Sequence, residues 1–386
     1  MERTKTPRAL VVGGGVGALE AGLALRDLAG DRARVEICAS RGEFVYRPFA
    51  VGEPYGASRV LRYDLEQLAG RCGAELRLGT VGRVDATRRR AHTQEGEEIP
   101  YDHLIVACGA RLLWSVPGAV TFWGVADEGE MQEVVGRLRE GQLRRLALTM
   151  PGGHGWALPA YELALLAATE LRRSGIADTR LTVVTPEDAP LAIFGRRASE
   201  QVAQLLADHE IEVVTGAHPV EFEGGLLSTA SGEAVEADAV VSLPRLEGRR
   251  IEGLPYGPAG FIPVDDHQRV PGCAHVYAVG DVTDFPVKQG GIATQQADVA
   301  AETIARELGC EVEAKPFEPI LRGVLWTGSK PRYLFGWLGG DDGETSVASD
   351  RPPWPIDNPS KLIGRYLTPF LAELSESSSA ARSSFG

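Results

Sequence analysis

A glycine-rich turn between an apolar strand and a helix restricts the fold of this chain more than any other feature. The apolar run at 9–12 leads into the turn GGGVGA at 13–18. The helix-like segment LEAGLALRDLA follows, and a strand-like segment at 35–39 comes after it. In such a βαβ unit the turn brings the backbone close to a phosphate at the helix N-terminus. This stretch therefore predicts a Rossmann-like, dinucleotide-binding unit.

The same order of elements occurs a second time. An apolar strand at 145–149 precedes the stretch MPGGHGWALP, the helix-like YELALLAATELRRSG and a strand at 180–185. After each unit, segments with alternating apolar and polar residues predict paired antiparallel strands that precede a buried strand. A third apolar strand, at 275–279, precedes another long helix-like segment. We therefore predict an α/β fold with two Rossmann-like dinucleotide-binding domains and a small C-terminal region.

Charge and composition exclude several classes of partner. The 386 residues include 40 Lys and Arg against 53 Asp and Glu, and the net charge of -13 disfavours nucleic acids and anionic lipids. We find no signal-peptide-like start and no apolar run of membrane length, so we expect a cytoplasmic protein. The five cysteines are scattered without a CxxC pair, so we expect neither a metal site nor a local redox disulfide.

Two further strand ends carry family motifs. Residues 104–110, LIVACGA, are similar to the ATG motif of two-dinucleotide-domain flavoproteins, and residues 275–281, HVYAVGD, are similar to their VYAxGD motif. The chain thus resembles the pyridine nucleotide-disulfide oxidoreductase superfamily over residues 8–312, which implies a glutathione-reductase-like fold and FAD as cofactor. The stretches EFVYRPFA at 43–50 and PVKQGG at 286–291 resemble the branch of sulfide:quinone reductase, flavocytochrome c sulfide dehydrogenase and type 2 NADH dehydrogenase.

The resemblance also implies where FAD is bound. Asp281 would hydrogen-bond the ribityl chain, and Lys288 with a helix N-terminus would stabilise negative charge on the flavin. Pro48 stands near the position where covalent relatives carry an attachment cysteine, so FAD is expected to be noncovalent. Arg41 and Lys288 have a second interpretation as solvated surface charges. The predicted FAD contacts are Gly13, Gly15, Val16, Gly17, Ala18, Ser40, Arg41, Arg47, Pro48, Val84, Ala107, Cys108, Gly109, Gly280, Asp281, Lys288, Gln289, Gly290 and Gly291.

The resemblance divides the chain into three parts. Residues 1–118 and 252–312 are predicted to form a discontinuous FAD-binding domain, and residues 119–251 an inserted NAD(P)-binding-like domain. Residues 313–386 are predicted to cover the pocket or to form an interface, and to end in a disordered tail. The last helix-like segment, interrupted by Pro369, is expected to pack in the core or in a homodimer contact. Membrane association is disfavoured because the segment offers few cations.

The second Gly-containing turn departs from the NAD-binding pattern. Aligned on Glu162, the family register places its three glycines at Gly155, Ala157 and Ala160, so a single glycine is kept. Side chains at the other positions would keep a pyrophosphate away. Glu187 and Asp188, after the next strand, have two interpretations, as ribose ligands or as a helix cap. The sequence therefore makes NAD(P)H a doubtful ligand.

The same turn lacks the chemistry of a sulfide relay. Trp156 stands where sulfide-oxidising relatives carry a reactive cysteine, and the region around Trp326 has no thiol either. Cys108 is interpreted as structural, because it would pack under the cofactor. Glu162 is either a proton relay or a first-turn acid favoured by the helix dipole. The candidate catalytic residues are Glu162, Lys288, Trp156 and His154, and further pocket candidates are Tyr46, Trp326 and Tyr333.

Three functions remain open at this point. The first is a cysteine-free FAD oxidoreductase that passes electrons from a small donor to an acceptor such as a quinone or O2. The second is an NAD(P)H:quinone dehydrogenase of the type 2 kind, against which the altered second turn counts. The third is a noncatalytic FAD-bearing binding protein, which the complete set of cofactor motifs disfavours.

Overall fold

Two parallel β-sheets form the framework of the protein. The computed structural model describes residues 6–126, 129–257, 259–338, 346–354 and 361–383. The α-helices in these residues are Val16–Ala29, Leu65–Arg71, Glu130–Arg139, Leu158–Ser174, Arg196–Asp208, Gly290–Glu307 and Leu367–Ser383.

The first sheet combines strands from the N-terminal part of the chain with one strand from near residue 276. Its strands lie in the order Val276–Ala278, His103–Val106, Arg8–Val12, Arg34–Ala39 and Glu75–Leu78, and every neighbouring pair is parallel. In the central strand, Ala9, Leu10 and Val11 are at most 1% exposed. This continuous burial is typical of a parallel strand that is covered on both faces.

The second sheet repeats this arrangement. Its strands lie in the order Val120–Thr121, Ala239–Ser242, Arg145–Thr149, Arg180–Val184 and Ile211–Val214, again all parallel. In both sheets the strand before the Gly-containing turn is central, and the strand after the meander lies beside it. The predicted duplication and the α/β fold class are confirmed.

Antiparallel strands form small additional sheets and connect the two parallel sheets. The three-stranded meanders consist of Val81–Asp85, Arg90–Thr93 and Glu98–Pro100, and of Pro219–Glu223, Leu226–Thr229 and Ala234–Glu236. Pairing of Ala110–Leu113 with Arg245–Gly248 connects the two halves, and Glu43–Tyr46 pairs with Leu61–Asp64. These meanders follow each unit as the sequence predicts.

The C-terminal region contains an antiparallel sheet that we did not predict from the sequence. Its strands are Ile320–Leu325, Arg332–Trp337 and Val347–Ser349. A Cβ at Gly336 would lie 2.7 Å from the carbonyl oxygen of Phe194, so glycine permits direct contact with the second domain. Turn-forming residues around these strands obscure their alternation in the sequence.

The last helix packs against the first sheet's layer of helices. Leu362, Leu367 and Leu371 are buried in one apolar cluster with Leu19 and Leu25 of the first helix. This agrees with core packing as the role of the segment. Within the described residues, no helix has both the length and the apolarity needed to cross a bilayer.

Two details of this helix differ from expectation. Pro369 does not interrupt it, because it lies in the first turn, where its missing N–H has no helical partner. The helix continues to Ser383, into the stretch that we expected to be disordered. Ala and Glu residues favour extension of a helix whose first turn is already packed. Residues 384–386 lie outside the described part.

Candidate cofactor site

The first turn requires glycine for a steric reason. Gly13 has φ 138°, and a Cβ at this position would lie 2.2 Å from the carbonyl oxygen of Ala107. The Gly13 N–H donates to the carbonyl oxygen of Cys38 at 2.8 Å. The turn is therefore held tightly between the ends of two neighbouring strands, in a conformation that favours glycine.

The helix after this turn offers uncapped N–H groups. Gly15 is the N-cap residue, no side chain caps the helix, and its first turn, which includes Val16, Gly17 and Ala18, carries no acid. A Cβ at Gly15 would meet no protein atom within 4 Å, so the space in front of the turn is open. An open helix N-terminus attracts an anion through its N–H groups and the helix dipole. These residues fit the pyrophosphate of FAD.

The predicted adenosine contacts are of two kinds. Ser40 and Arg41 follow the strand Arg34–Ala39 and are exposed. Val84 is 2% exposed, and its N–H donates to the carbonyl oxygen of Glu252 at 2.8 Å. The structure therefore gives Val84 a packing role beside residue 252, and its contact with FAD stays a prediction.

Asp281 is placed to accept hydrogen bonds from a ligand. It is half-buried, and among the described residues its carboxylate has no hydrogen-bond partner. Burial raises the pKa of Asp281, while the charges of Lys288 and Arg47 oppose that rise. The preceding Gly280 N–H is fixed by Gln296 Oε1 at 2.7 Å. A carboxylate in this state suits ligand hydroxyl groups, as predicted for the ribityl chain.

Lys288 is not a solvated loop lysine. It is 5% exposed, and its Nζ donates to the carbonyl oxygen of Thr283 and lies 3.8 Å from the ring centroid of Phe261. Burial lowers the pKa of Lys288 to about 8, although Asp281 and Asp284 oppose the shift. Lys288 is therefore held inside the protein, in surroundings that favour its neutral form more than water does.

A second uncapped helix begins just after Lys288. Gln289 is the N-cap residue of Gly290–Glu307, makes no side-chain cap, and is followed by a first turn without acids. A Cβ at Gly290 would lie 2.7 Å from Leu362 Cδ1, and a Cβ at Gly291 would lie 3.2 Å from Gln289 Oε1. That buried Oε1 has no partner among the described residues. This helix N-terminus, like the first, offers uncapped N–H groups that favour negative charge.

The second Gly-containing loop pairs with the loop that carries Lys288. The Gly155 N–H donates to the Pro286 carbonyl oxygen, and the Lys288 N–H donates to the Gly155 carbonyl oxygen, each at 3.0 Å. His154 Nε2 lies 3.1 Å from the carbonyl oxygen of Asp284. The loop of the inserted domain therefore supports the lysine loop of the first domain.

This second loop does not have the geometry of a dinucleotide turn. Eight residues, 150–157, separate its strand from its helix, whereas three residues, 13–15, do so in the first unit. Pro159 is the second residue of the helix and removes one N–H that an anion would use. Trp156 packs against Phe194 with ring centroids 5.6 Å apart. The loop is built for contacts within the protein.

The acid at the ribose position of the second domain is already hydrogen-bonded. Glu187 Oε2 accepts from the hydroxyl of Tyr161 at 2.6 Å and from that of Thr185 at 3.1 Å. Tyr161 is fully buried, and burial raises the pKa of Glu187 despite these donors. Glu187 also accepts a backbone hydrogen bond from Leu191, the residue before the short helix Ala192–Phe194. The carboxylate is thus engaged within its own domain, and its role as a helix cap stays a prediction.

A buried ion pair connects the second domain to the C-terminal segment. Glu162 Oε1 lies 2.6 Å from Lys361 Nζ and accepts from the Trp326 N–H at 2.9 Å. The two charged side chains are 1% and 6% exposed. Burial raises the pKa of Glu162 and lowers that of Lys361, while their pairing opposes both shifts. The first turn of this helix contains no acid, so the interpretation of Glu162 as a first-turn acid is wrong.

Aromatic side chains lie around this ion pair. Lys361 Nζ is 4.3 Å from the ring centroid of Trp326, whose ring stacks with that of Phe49 at 5.6 Å. The hydroxyl of Tyr46 accepts from the Leu362 N–H at 3.0 Å. The stretch predicted to pass beside the isoalloxazine thus contacts the C-terminal segment. No local pattern indicates this role for Lys361, because its partner is 199 residues away.

Glu20 fixes the C-terminal segment from the first helix. It is fully buried and accepts the N–H groups of Tyr366 at 2.9 Å and Leu367 at 2.7 Å, which caps the last helix. Burial and the charge of Glu20 raise the pKa of the neighbouring Asp298 to about 8. The one local signal for this role is an acid inside an otherwise apolar helix segment.

Three of the cysteines have the environment of unreactive thiols. All five lie in the described residues and are free. Burial raises the pKa values of Cys38, Cys72 and Cys108 to about 11, which keeps these thiols protonated at neutral pH. This supports the structural interpretation of Cys108.

Comparison with known proteins decides the family. The family model described as pyridine nucleotide-disulphide oxidoreductase matches residues 7–302. The chain belongs to this family. Among similar members, the NADH dehydrogenase-like protein YutJ of Bacillus subtilis (strain 168) is 24% identical over 298 residues, 75% of this chain and 76% of its own. The sulfide-quinone reductase of Aquifex aeolicus (strain VF5) is 23% identical over 296 residues, 72% of this chain and 68% of its own.

Solved structures show the same fold. The X-ray structure of the sulfide:quinone oxidoreductase from Aquifex aeolicus has a TM-score of 0.80 and 19% sequence identity, and covers 89% of this chain and 87% of that chain. Family membership makes the protein an oxidoreductase and supports FAD as its cofactor, as the motifs predicted. The roles of individual residues in the site remain predictions.

Proposed function

We propose that this family member is an oxidoreductase with noncovalent FAD that passes electrons from a small donor to an acceptor such as a quinone or O2. Bound FAD supplies the electron-accepting and electron-donating chemistry. The uncapped turn at Gly13 and Gly15 binds the pyrophosphate, and Asp281 accepts ligand hydroxyls. Lys288 stabilises negative charge. Pro48 offers no sulfur for a covalent bond.

We also propose that the donor is not NAD(P)H, and the loop at 150–157 is the observation that supports this. Its backbone pairs with the loop at 286–288, and its helix begins with Pro159 in the first turn. The carboxylate of Glu187, which a ribose would need, is engaged by Tyr161. We also propose that no catalytic disulfide takes part, because Trp156 and Trp326 occupy the regions where sulfide-oxidising relatives carry thiols.

The ion pair of Glu162 and Lys361 is our candidate for proton handling. It is buried against Trp326, whose ring also contacts Phe49. A carboxylate and an ammonium at 2.6 Å can exchange a proton within the protein without contact with bulk water. His154, which packs on Phe261 with ring centroids 4.5 Å apart, is the second candidate acid or base.

A second candidate function is an NAD(P)H dehydrogenase of the type 2 kind. Similarity to a protein named NADH dehydrogenase-like favours it. In that case the nicotinamide would have to bind without the glycine turn of the second domain.

A cytoplasmic location, small-molecule partners and a homodimer remain predictions of the sequence.

Anaerobic reduction distinguishes the two functions. FAD-loaded protein is mixed separately with NADH, NADPH and sulfide, and loss of the visible flavin band is followed. Reduction by dithionite serves as the control for a competent flavin. We expect dithionite to bleach the flavin and NADH, NADPH and sulfide to react slowly. Rapid bleaching by micromolar NADH would overturn our preferred donor assignment, and failure to retain any FAD would overturn the flavoenzyme itself.

A further inference from the structure

Two histidines and a glutamate meet at the edge of the first sheet opposite the cofactor turn. His103 begins a strand, and His275 immediately precedes the neighbouring parallel strand. These strands end at the motifs containing Gly109 and Asp281, so the histidines lie at the other, amino-terminal edge. Glu307 ends the long helix that returns to this edge.

The three side chains have the separations of ligands to one ion. Glu307 Oε2 lies 3.6 Å from His103 Nδ1 and 3.5 Å from His275 Nδ1. All three ligand atoms lie within 4.8 Å of one another. In a tetrahedral zinc site with bonds of about 2.0–2.1 Å, neighbouring ligand atoms are about 3.3–3.4 Å apart. Small side-chain shifts would bring all three atoms to that geometry.

One ligand atom is buried without a partner. His103 is 6% exposed, and its Nδ1 makes no hydrogen bond with the described residues. The separation of 3.6 Å from Glu307 Oε2 is too long for a hydrogen bond. A buried polar nitrogen without a partner is costly, so its presence points to a ligand that the chain itself does not supply.

Neighbouring groups hold the carboxylate in position. Arg269 Nη2 donates to Glu307 Oε1 at 3.1 Å, and Tyr277 also hydrogen-bonds Glu307. The other oxygen, Oε2, faces the two histidines. Outer partners of this kind orient metal ligands in known sites. Arg269 therefore positions the carboxylate without occupying the oxygen that faces the imidazoles.

We propose that His103, His275 and Glu307 bind a divalent transition-metal ion of the zinc class. Two imidazole nitrogens and one carboxylate oxygen are ligands that zinc accepts, and water would complete four-coordination. We expected no metal site because the cysteines are scattered without a CxxC pair. His103 and His275 give no local signal for one, since they are 172 positions apart (275 minus 103). The sheet register brings them together.

The position of the site assigns it a structural role. The ion would tie the amino ends of two strands to the end of the helix Gly290–Glu307. The same strand and helix carry Asp281 and Lys288 at their opposite ends. Bound metal should therefore raise the stability of the first domain, without touching the reacting groups.

Calorimetric titration with ZnCl2 tests the site directly. FAD-loaded protein is first dialysed against a chelator, and thermal unfolding is measured with and without micromolar Zn²⁺. We expect one ion per chain and a higher Tm. Glu307→Gln, at a residue on the protein surface, and His275→Gln should weaken Zn²⁺ binding by at least about 10–100-fold, the loss typical for an outer partner alone.

Asp266→Asn is the matched control. Asp266 belongs to a nearby exposed group with Asp265 and His267 that could also attract a cation. We expect this variant to bind Zn²⁺ as the unaltered protein does. FAD content and circular dichroism establish that each variant is folded. Absence of saturable Zn²⁺ binding would overturn the proposal. So would Zn²⁺ binding in Glu307→Gln and His275→Gln that is as tight as in the unaltered protein. Loss of binding in Asp266→Asn alone would assign the ion to the exposed group instead.

Discussion

Replacing Lys361 with methionine removes one charge from the buried pair with Glu162. Methionine retains apolar bulk beside Trp326, but the carboxylate is left with the Trp326 backbone N–H as its remaining donor. Because Glu162 is 1% exposed, water cannot readily replace the lost ammonium. Breaking a buried pair from one side costs about 3–5 kcal/mol.

This cost should appear as a pH-dependent loss of thermal stability. It corresponds to a decrease in Tm on the order of 6–20 °C for a cooperative unit of about 200 residues. Without the ammonium, the pKa of Glu162, already raised by burial, rises further. An acid with a raised folded-state pKa favours folding at low pH, and this contribution is lost as pH rises through that pKa. The deficit of Lys361→Met should therefore be small at acidic pH and largest above neutrality.

Thermal unfolding of FAD-loaded protein, followed by circular dichroism across this pH range, gives the answer. The double variant Glu162→Leu, Lys361→Met is the matched control. It leaves no unpaired charge and should recover most of the lost Tm. A single-variant Tm within about 2 °C of the unaltered protein at every pH would refute the reasoning. The same conclusion would follow if the double variant were no more stable than the single one.

Three further substitutions test other parts of the site. Gly13→Ala places a Cβ 2.2 Å from a backbone carbonyl oxygen and should abolish FAD retention on gel filtration, whereas Gly136→Ala, with open space around it, should preserve retention. Lys288→Met removes an ammonium group whose pKa is about 8. At lower pH the flavin midpoint potential of the variant should therefore be lower than that of the unaltered protein, and at higher pH the two potentials should match. Tyr161→Phe should lower the free energy of unfolding in urea by about 1.5–3 kcal/mol. Because burial already raises the pKa of Glu187, that loss should grow with pH. Equal FAD content in both glycine variants, parallel potential curves or an unchanged urea midpoint would contradict the respective assignments.

Local patterns predicted the framework of the protein well. Apolar runs before Gly13 and at 145–149 identified the central strands of both sheets, because a buried parallel strand is apolar along its whole length. The glycine at position 13 identified the turn, because no other residue fits beside Ala107. Periodicity and turn chemistry are encoded within a few residues, so the fold class could be derived from them.

Contacts between distant parts of the chain could not be derived in this way. Lys361 meets Glu162, and Glu20 caps a helix more than three hundred residues later, at a sequence separation of 347. The pairing of Gly155 with residues 286–288 likewise joins two domains. Each contact depends on the folded position of both partners, and neither partner has a distinctive local pattern. The glycine turns could therefore be predicted from local sequence, whereas the ion pair of Glu162 with Lys361 could not.

The strand order of the first sheet also sets when its parts can meet during synthesis. All strands of the second sheet come from the continuous stretch 120–242, whereas the first sheet needs both Arg8–Val12 and Val276–Ala278. Its helix layer is completed later still, by Leu367. A ribosome delivers the chain from its N-terminus, so the inserted domain has its full set of strands first. We expect the first domain to stay open in the nascent chain, with its apolar strands in need of chaperone protection, until the final helix has emerged.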